Sequence, residues 1–261
     1  MSGFRERYGP FALVAGASAG LGEAFARELA ARGLNLLLLA RRGDALAALA
    51  RDLSDRAGVE VHFAAADLAS PNVGEVARSL AAGREVGLLV YNAAHSAIGP
   101  FVERPLGEQL RVLDVNCRGP LVLSHLFGSE MARRGRGGIL LMTSLAASQG
   151  GPLLASYAAS KAFNLVLAEG LWDELGRSGV DVLACRAGAT RTPGYEASRP
   201  HREMPLMEAR DVATEALAAL GKGPSVVAGA MNKLVAFLFA RLLPRRAAIR
   251  IMGGATRRLY G

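Results

Sequence analysis

Residues 11–25 read F-A-L-V-A-G-A-S-A-G-L-G-E-A-F. The first five are small or apolar with no polar alternation, as a strand covered on both faces requires. Gly16, Gly20 and Gly22 then break the run, and Phe25 and Leu29 resume it at helical spacing. A strand, a glycine turn and a helix N-terminus make a good pyrophosphate site: small residues let backbone N–H groups approach an anion, and the helix end supplies positive potential. Ser18 and Leu21 fall inside this turn. The spacing G-x-x-x-G-x-G differs from the G-x-G-x-x-G dinucleotide fingerprint, so a tight turn that binds nothing stays open here.

Further apolar runs at 35–40, 59–64, 86–91, 138–143, 180–185 and 224–228 read as strands, with helical patterns at 21–32, 44–57, 73–82, 106–134, 156–176 and 209–220. This alternation predicts an α/β fold, a doubly wound sheet of about seven mostly parallel strands with helices on both faces. No repeat or linker divides residues 1–261, so a single domain is expected. Segment 188–207 mixes prolines and charges and reads as a lid, a long loop or a pair of short helices. In the extension 231–261, an apolar stretch from Leu234 to Leu243 is followed by arginines. It suits packing against the domain or a partner subunit, or a helix that lies against an anionic membrane or covers an apolar substrate entrance.

Hydrophobic residues make up 51% of the chain, which excludes the disordered class. Two cysteines, Cys117 and Cys185, give no disulfide framework. With a charged N-terminus and no apolar run of spanning length, a cytoplasmic location is expected. The net charge of +8 alone would suit nucleic acid, but no recognition-helix or aromatic-and-basic sheet pattern accompanies it, so no nucleic-acid partner is expected. The four histidines show no metal spacing and no G-x-S-x-G turn surrounds Ser144, so neither a metal nor a hydrolase triad is expected.

Arg41 and Arg42 follow the second strand, where a dinucleotide's adenosine ribose would arrive. Arginine there fits the extra phosphate of NADP, whereas an acid would fit NAD. Asp67 can accept a bond from an adenine amino group or cap the next helix, and Asn92 is either a ligand or a turn former. Tyr157 and Lys161 stand four apart, on one helical face.

Together these features resemble the classical short-chain dehydrogenase/reductase family over roughly residues 9–230. The resemblance rests on Gly16, Gly20 and Gly22, on Asp67, on Asn92-Ala93-Ala94, on Asn116, on Ser144 and on Tyr157-x-x-x-Lys161. It implies a Rossmann-like domain, a homodimer or homotetramer, and hydride exchange between a nicotinamide and a carbonyl or alcohol carbon. The implied catalytic residues are Asn116, Ser144, Tyr157 and Lys161. The implied cofactor contacts are Gly16, Ser18, Gly20, Leu21, Gly22, Arg41, Arg42, Asp67, Leu68, Asn92, Ala93, Ala94, Tyr157, Lys161, Gly188, Thr190 and Thr192. Substrate contacts are expected from Ser144, Leu145, Leu154, Tyr157, Ala189 and Tyr195. The chain departs from the family pattern at Ala15, Tyr91, Ala94 and Ala187.

Tyr157 is then the acid/base, with the ammonium of Lys161 favouring its phenolate and Ser144 orienting the carbonyl. Asn116 is expected to hold a water linking Lys161 to solvent. The leading expectation is NADP(H)-dependent reduction of an apolar small-molecule carbonyl, or its reverse. An NAD-linked alcohol dehydrogenase and a catalytically silent nucleotide-binding scaffold are the alternatives.

Overall fold

A computed structural model describes residues 2–198, 200–201 and 205–261. Its strands are β1 (Phe11–Ala15), β2 (Asn35–Ala40), β3 (Val61–Ala65), β4 (Val86–Tyr91), β5 (Gly137–Ser144), β6 (Val180–Ala187), β7 (Thr190–Arg191), β8 (Met207–Glu208) and β9 (Ser225–Val227). β7 and β8 pair only with each other. The other seven form one sheet in the order β3-β2-β1-β4-β5-β6-β9, parallel throughout rather than mostly so. All seven expected apolar runs enter it.

The lack of polar alternation follows from two cores, one on each face. On β1, Ala12 and Val14 join Phe25, Leu38, Met142 and Val212 on one face. Leu13 and Ala15 join Leu39, Phe127, Leu141 and Val182 on the other. Each fully buried aliphatic side chain contributes about 1.5–3 kcal/mol, so both faces must be closed. Edge strand β3 is less covered, and Phe63 on it is exposed.

The helices are α1 (Ser2–Tyr8), α2 (Gly20–Ala31), α3 (Gly43–Ala57), α4 (Val73–Leu80), α5 (Leu106–Leu113), α6 (Gly119–Arg134), α7 (Ala155–Gly176), α8 (Pro193–Ala197), α9 (Ala209–Ala219), α10 (Ala230–Arg241) and α11 (Arg245–Tyr260). Because β1 lies between β2 and β4, the chain reverses its direction of travel across the sheet there. The crevice beyond the carboxyl ends of β1 and β4 is the usual ligand position in such sheets.

One expectation is corrected. The helix expected over 106–134 is interrupted by a π-helical turn at Asp114–Arg118. Tyr91 packs against this turn: its hydroxyl donates to the Val115 carbonyl (2.5 Å), and a Cβ on Gly119 would fall 2.1 Å from that hydroxyl. Within the expected lid, 188–207, the described residues form the β7–β8 ladder and one short helix, α8; Arg199, Arg202, Glu203 and Met204 lie outside the described residues. The C-terminal extension forms two helices separated at Pro244, which cannot donate a helical N–H.

Candidate active site

The glycine turn joins β1 to α2. Gly16 and Gly20 have φ of +86° and +60°, the left-handed region where a side chain is strained. Gly22 is required for close approach instead: a Cβ there would fall 1.9 Å from the Gly16 carbonyl oxygen. Ala19, at the N-cap of α2, offers no side-chain acceptor, so the first N–H groups of that helix keep no side-chain cap. That arrangement fits a pyrophosphate.

Several expected ligands also hold this turn in shape. Asn92 Nδ2 donates to the Gly16 carbonyl (3.2 Å), and Ala93 packs against Gly16. Arg42 Nη2 donates to the Ser18 carbonyl and hydroxyl (3.0 and 3.2 Å). Arg41 is exposed beside it, open to a phosphate. Asp67 accepts from the Ala69 N–H (3.0 Å) and from Arg111 Nη2 (2.8 Å to Oδ2). Its burial favours the neutral acid, but these two donors outweigh it and hold the carboxyl below its ordinary value. Leu68 is buried, Leu21 lies half-buried in the first turn of α2, and Ala94 is exposed.

Beyond β6, Thr192 stands over the turn, 3.0 Å from where a Gly20 Cβ would lie, and its Oγ1 caps α8 by accepting from Tyr195 N–H (3.1 Å). Thr190 is buried and donates to the Gly188 carbonyl (3.1 Å). A Cβ at Gly188 would meet the Asn232 amide of α10 at 2.6 Å, so that side chain would have to shift.

Ser144 ends β5, while Tyr157 and Lys161 project from the first turns of α7. Lys161 is 3% exposed; its Nζ donates to the Met142 carbonyl (2.9 Å) and lies 5.7 Å from the centre of the Tyr157 ring. Burial lowers its pKa to about 8, opposed weakly by Cys117. Burial raises the Tyr157 pKa; a hydrogen bond with Ser144 pulls it down and Tyr260 pushes it up. Without nucleotide, therefore, Ser144 rather than Lys161 is the group that favours the phenolate.

Asn116 sits in the π-helical turn with its side-chain amide fully engaged. Oδ1 accepts from His95 N–H (2.7 Å), and Nδ2 donates to the His95 carbonyl and to Ser160 Oγ (both 2.9 Å). Ser160 Oγ donates in turn to the Tyr157 carbonyl (2.8 Å). In this structure the Asn116 side chain thus ties the His95 loop to the α7 turn that carries Tyr157.

On the substrate side, Leu145 opens the short turn after Ser144, Leu154 is the N-cap of α7, and Ala189 follows Gly188. Tyr195 lies half-buried on α8. Tyr260 was not foreseen. The end of α11 returns to this cleft: Tyr260 and Ser198 hydroxyls are 3.3 Å apart, and His201 N–H donates to the Leu259 carbonyl (2.8 Å). Arg245 Nη1 donates to the Ser148 carbonyl (3.1 Å), and Gly253 is seated on Pro152. Arg111 and Asn232 were also missed; each acts through a contact distant in sequence and leaves no local pattern.

The sequence profile described as short chain dehydrogenase matches residues 10–203. A 7beta-hydroxysteroid dehydrogenase from Clostridium sardiniense is 32% identical over 233 residues, 88% of this chain and 89% of that protein. A Very-long-chain 3-oxoacyl-CoA reductase from Pyricularia oryzae is 37% identical over 67% of this chain, which spans about half (54%) of that longer relative. Among solved structures, a 7beta-hydroxysteroid dehydrogenase superposes with a TM-score of 0.90 at 28% identity, covering 95% of this chain and 98% of the other. A short-chain dehydrogenase from Sphingobium yanoikuyae in complex with NADPH gives 0.77 at 32% identity, with 84% and 87% covered. With that profile spanning the glycine turn, Ser144 and the Tyr157–Lys161 face, the chain belongs to the short-chain dehydrogenase family and is an NAD(P)-dependent oxidoreductase of small-molecule carbonyl or alcohol groups.

Proposed function

We propose that the protein is an NADP(H)-dependent reductase of a bulky apolar ketone of the oxosteroid type, or the corresponding dehydrogenase in reverse, with Tyr157 as the acid/base. The observation that carries this reading is the convergence of Ser144, Tyr157 and buried Lys161 under a cap made by the end of α11. Likeness to the 7beta-hydroxysteroid dehydrogenase structure supports the substrate class. It extends over 95% of the chain, which includes at least part of α10 and α11.

When bound, the reduced nicotinamide supplies a hydride to the carbonyl carbon. The glycine turn and the α2 N-terminus would hold the pyrophosphate, Arg41 the 2′-phosphate, and Lys161 the nicotinamide ribose. Ser144 bonds the carbonyl oxygen and fixes its direction. Tyr157 gives its phenolic proton to that oxygen as negative charge develops. With nucleotide bound, the positive charge of Lys161, one helical turn away, would favour the phenolate that remains. Asn116, through Ser160, positions the α7 turn. Turnover of NADPH with a 7-oxosteroid tests this reading; no oxidation with any bulky ketone would leave the silent-scaffold alternative.

The two arginines after β2 separate by experiment. Arg41→Ala should raise the KM for NADPH by about tenfold or more and leave that for NADH nearly unchanged, since it removes a charge-assisted phosphate bond. Arg42→Ala should weaken both, because Arg42 also holds Ser18. Equal losses in the Arg41 variant would count against the phosphate role and favour an NAD-linked enzyme.

Tyr260→Ala should raise the KM for the ketone about tenfold while the KM for NADPH stays within about twofold, the scale of one aromatic ring lost from a pocket wall. Steady-state kinetics with each substrate varied separately measures this, and an unchanged ketone KM would remove α11 from the pocket. The exposed apolar side chains Leu106 and Leu110 on α5 and Phe163 and Val166 on α7 support the homodimer or homotetramer reading.

A further inference from the structure

All 23 acidic residues lie at or before Glu215, whereas eight of the 31 basic ones follow it. Residues 1–215 are therefore neutral in formal charge, and the whole net charge of +8 belongs to the C-terminal segment. That segment also carries an exposed apolar face. On α10 and its end, Met231, Leu234, Phe237, Leu238 and Leu242 are 38–69% exposed. At 100° per residue they share one side of the helix, with Arg241 among them. The opposite side faces the domain: Asn232 donates to the Ala228 carbonyl (2.8 Å), and α10 packs against the turn after Ser144. Arg245, Arg246 and Arg250 follow at once and are exposed; Lys233, at the rim, is paired with Glu215.

We infer that α10 and the basic segment after it lie flat on an anionic membrane surface. Five large apolar side chains bordered by arginines, with the one carboxylate at the rim, Glu215, neutralised by Lys233, match the interface between acyl chains and acidic head groups. Arg241 can keep its charge among the head groups while its stem lies along the apolar face. At 12 residues α10 is too short to span, and among the described residues no helix is long and apolar enough to cross a membrane. A second copy suits this face poorly, because a two-fold contact would set the same positive segment against itself. The surface adjoins the turn after Ser144, so a substrate dissolved in lipid would reach the cleft from the membrane side.

Flotation of the full chain with vesicles tests this. Phosphatidylcholine vesicles containing roughly a third phosphatidylglycerol should carry at least about tenfold more protein than phosphatidylcholine alone, and high salt should release it. Phe237→Glu/Leu238→Glu and, separately, Arg246→Gln/Arg250→Gln should each lose most of the binding. Their NADPH turnover with a water-soluble ketone should stay near wild type; if the glutamate pair misfolds, the glutamine pair decides. No flotation of wild-type protein on the anionic vesicles overturns the inference, as does equal flotation of the glutamine pair. Undiminished flotation of a folded glutamate pair would indicate attraction to any polyanion and also overturn it. A glutamate pair that breaks an oligomer into smaller species, without vesicle binding by wild type, would assign the face to a second copy.

Discussion

Tyr157→Phe is expected to lower NADPH-dependent ketone reduction by about 10²- to 10⁴-fold, the contribution of a positioned general acid. The substitution keeps the ring that lies beside Lys161 and removes only the hydroxyl hydrogen-bonded to Ser144. His95 does not stand ready to replace it: its backbone is bound to Asn116, and burial and nearby arginines favour its neutral ring. NADPH affinity, read by equilibrium fluorescence titration, should be nearly unchanged, so the loss falls on kcat. Wild-type turnover in a folded variant would remove the phenol from the chemistry.

Lys161→Met carries the second large effect. Loss of the ammonium should reduce turnover by about 10²-fold or more and weaken nucleotide binding, since one group serves both the ribose and the phenolate. It also has a signature in stability. The folded pKa of Lys161 is lowered from 10.5 to about 8 by burial. Below pH 8 both folded and unfolded chains hold this proton, and the cost of burying the charge is present in full. Between pH 8 and 10.5 the unfolded chain retains the proton and the folded chain releases it, so stability rises with pH. Urea denaturation at intervals from pH 7 to 10 should show wild type gaining on Lys161→Met by up to about 1.4 kcal/mol per pH unit above pH 8. Parallel stability curves would mean that Lys161 titrates as an ordinary exposed lysine.

Much of the fold was legible because burial on both faces leaves a plain mark. F-A-L-V-A and N-L-L-L-L-A have no polar alternation because Leu13 and Val14, and Leu37 and Leu38, face opposite cores. The glycine turn was legible for a similar reason, since Gly16 and Gly22 occupy places that a Cβ would fill. Ser144, Tyr157 and Lys161 came together because an interval of four fixes one helical face and β5 ends beside it. What stayed hidden depends on pairs far apart in the chain. The π-helical turn seats Tyr91 against Gly119, and the periodicity of 106–134 continues through it unbroken. Arg111 reaches Asp67 across 44 residues, and Tyr260 reaches Ser198 across 62. Asn116 has the right residue type at the right place, but its hydrogen bonds go to His95 and Ser160, which no motif announces.

A crystal structure of the full chain with NADP and a 7-oxosteroid measures the claim on which the chemistry depends. The substrate oxygen should lie about 3 Å from both Ser144 Oγ and the Tyr157 hydroxyl, with Lys161 Nζ bonded to the nicotinamide ribose. A reaction-competent complex whose ketone oxygen bonds neither hydroxyl, or in which Lys161 stays on the Met142 carbonyl away from the ribose, would contradict it.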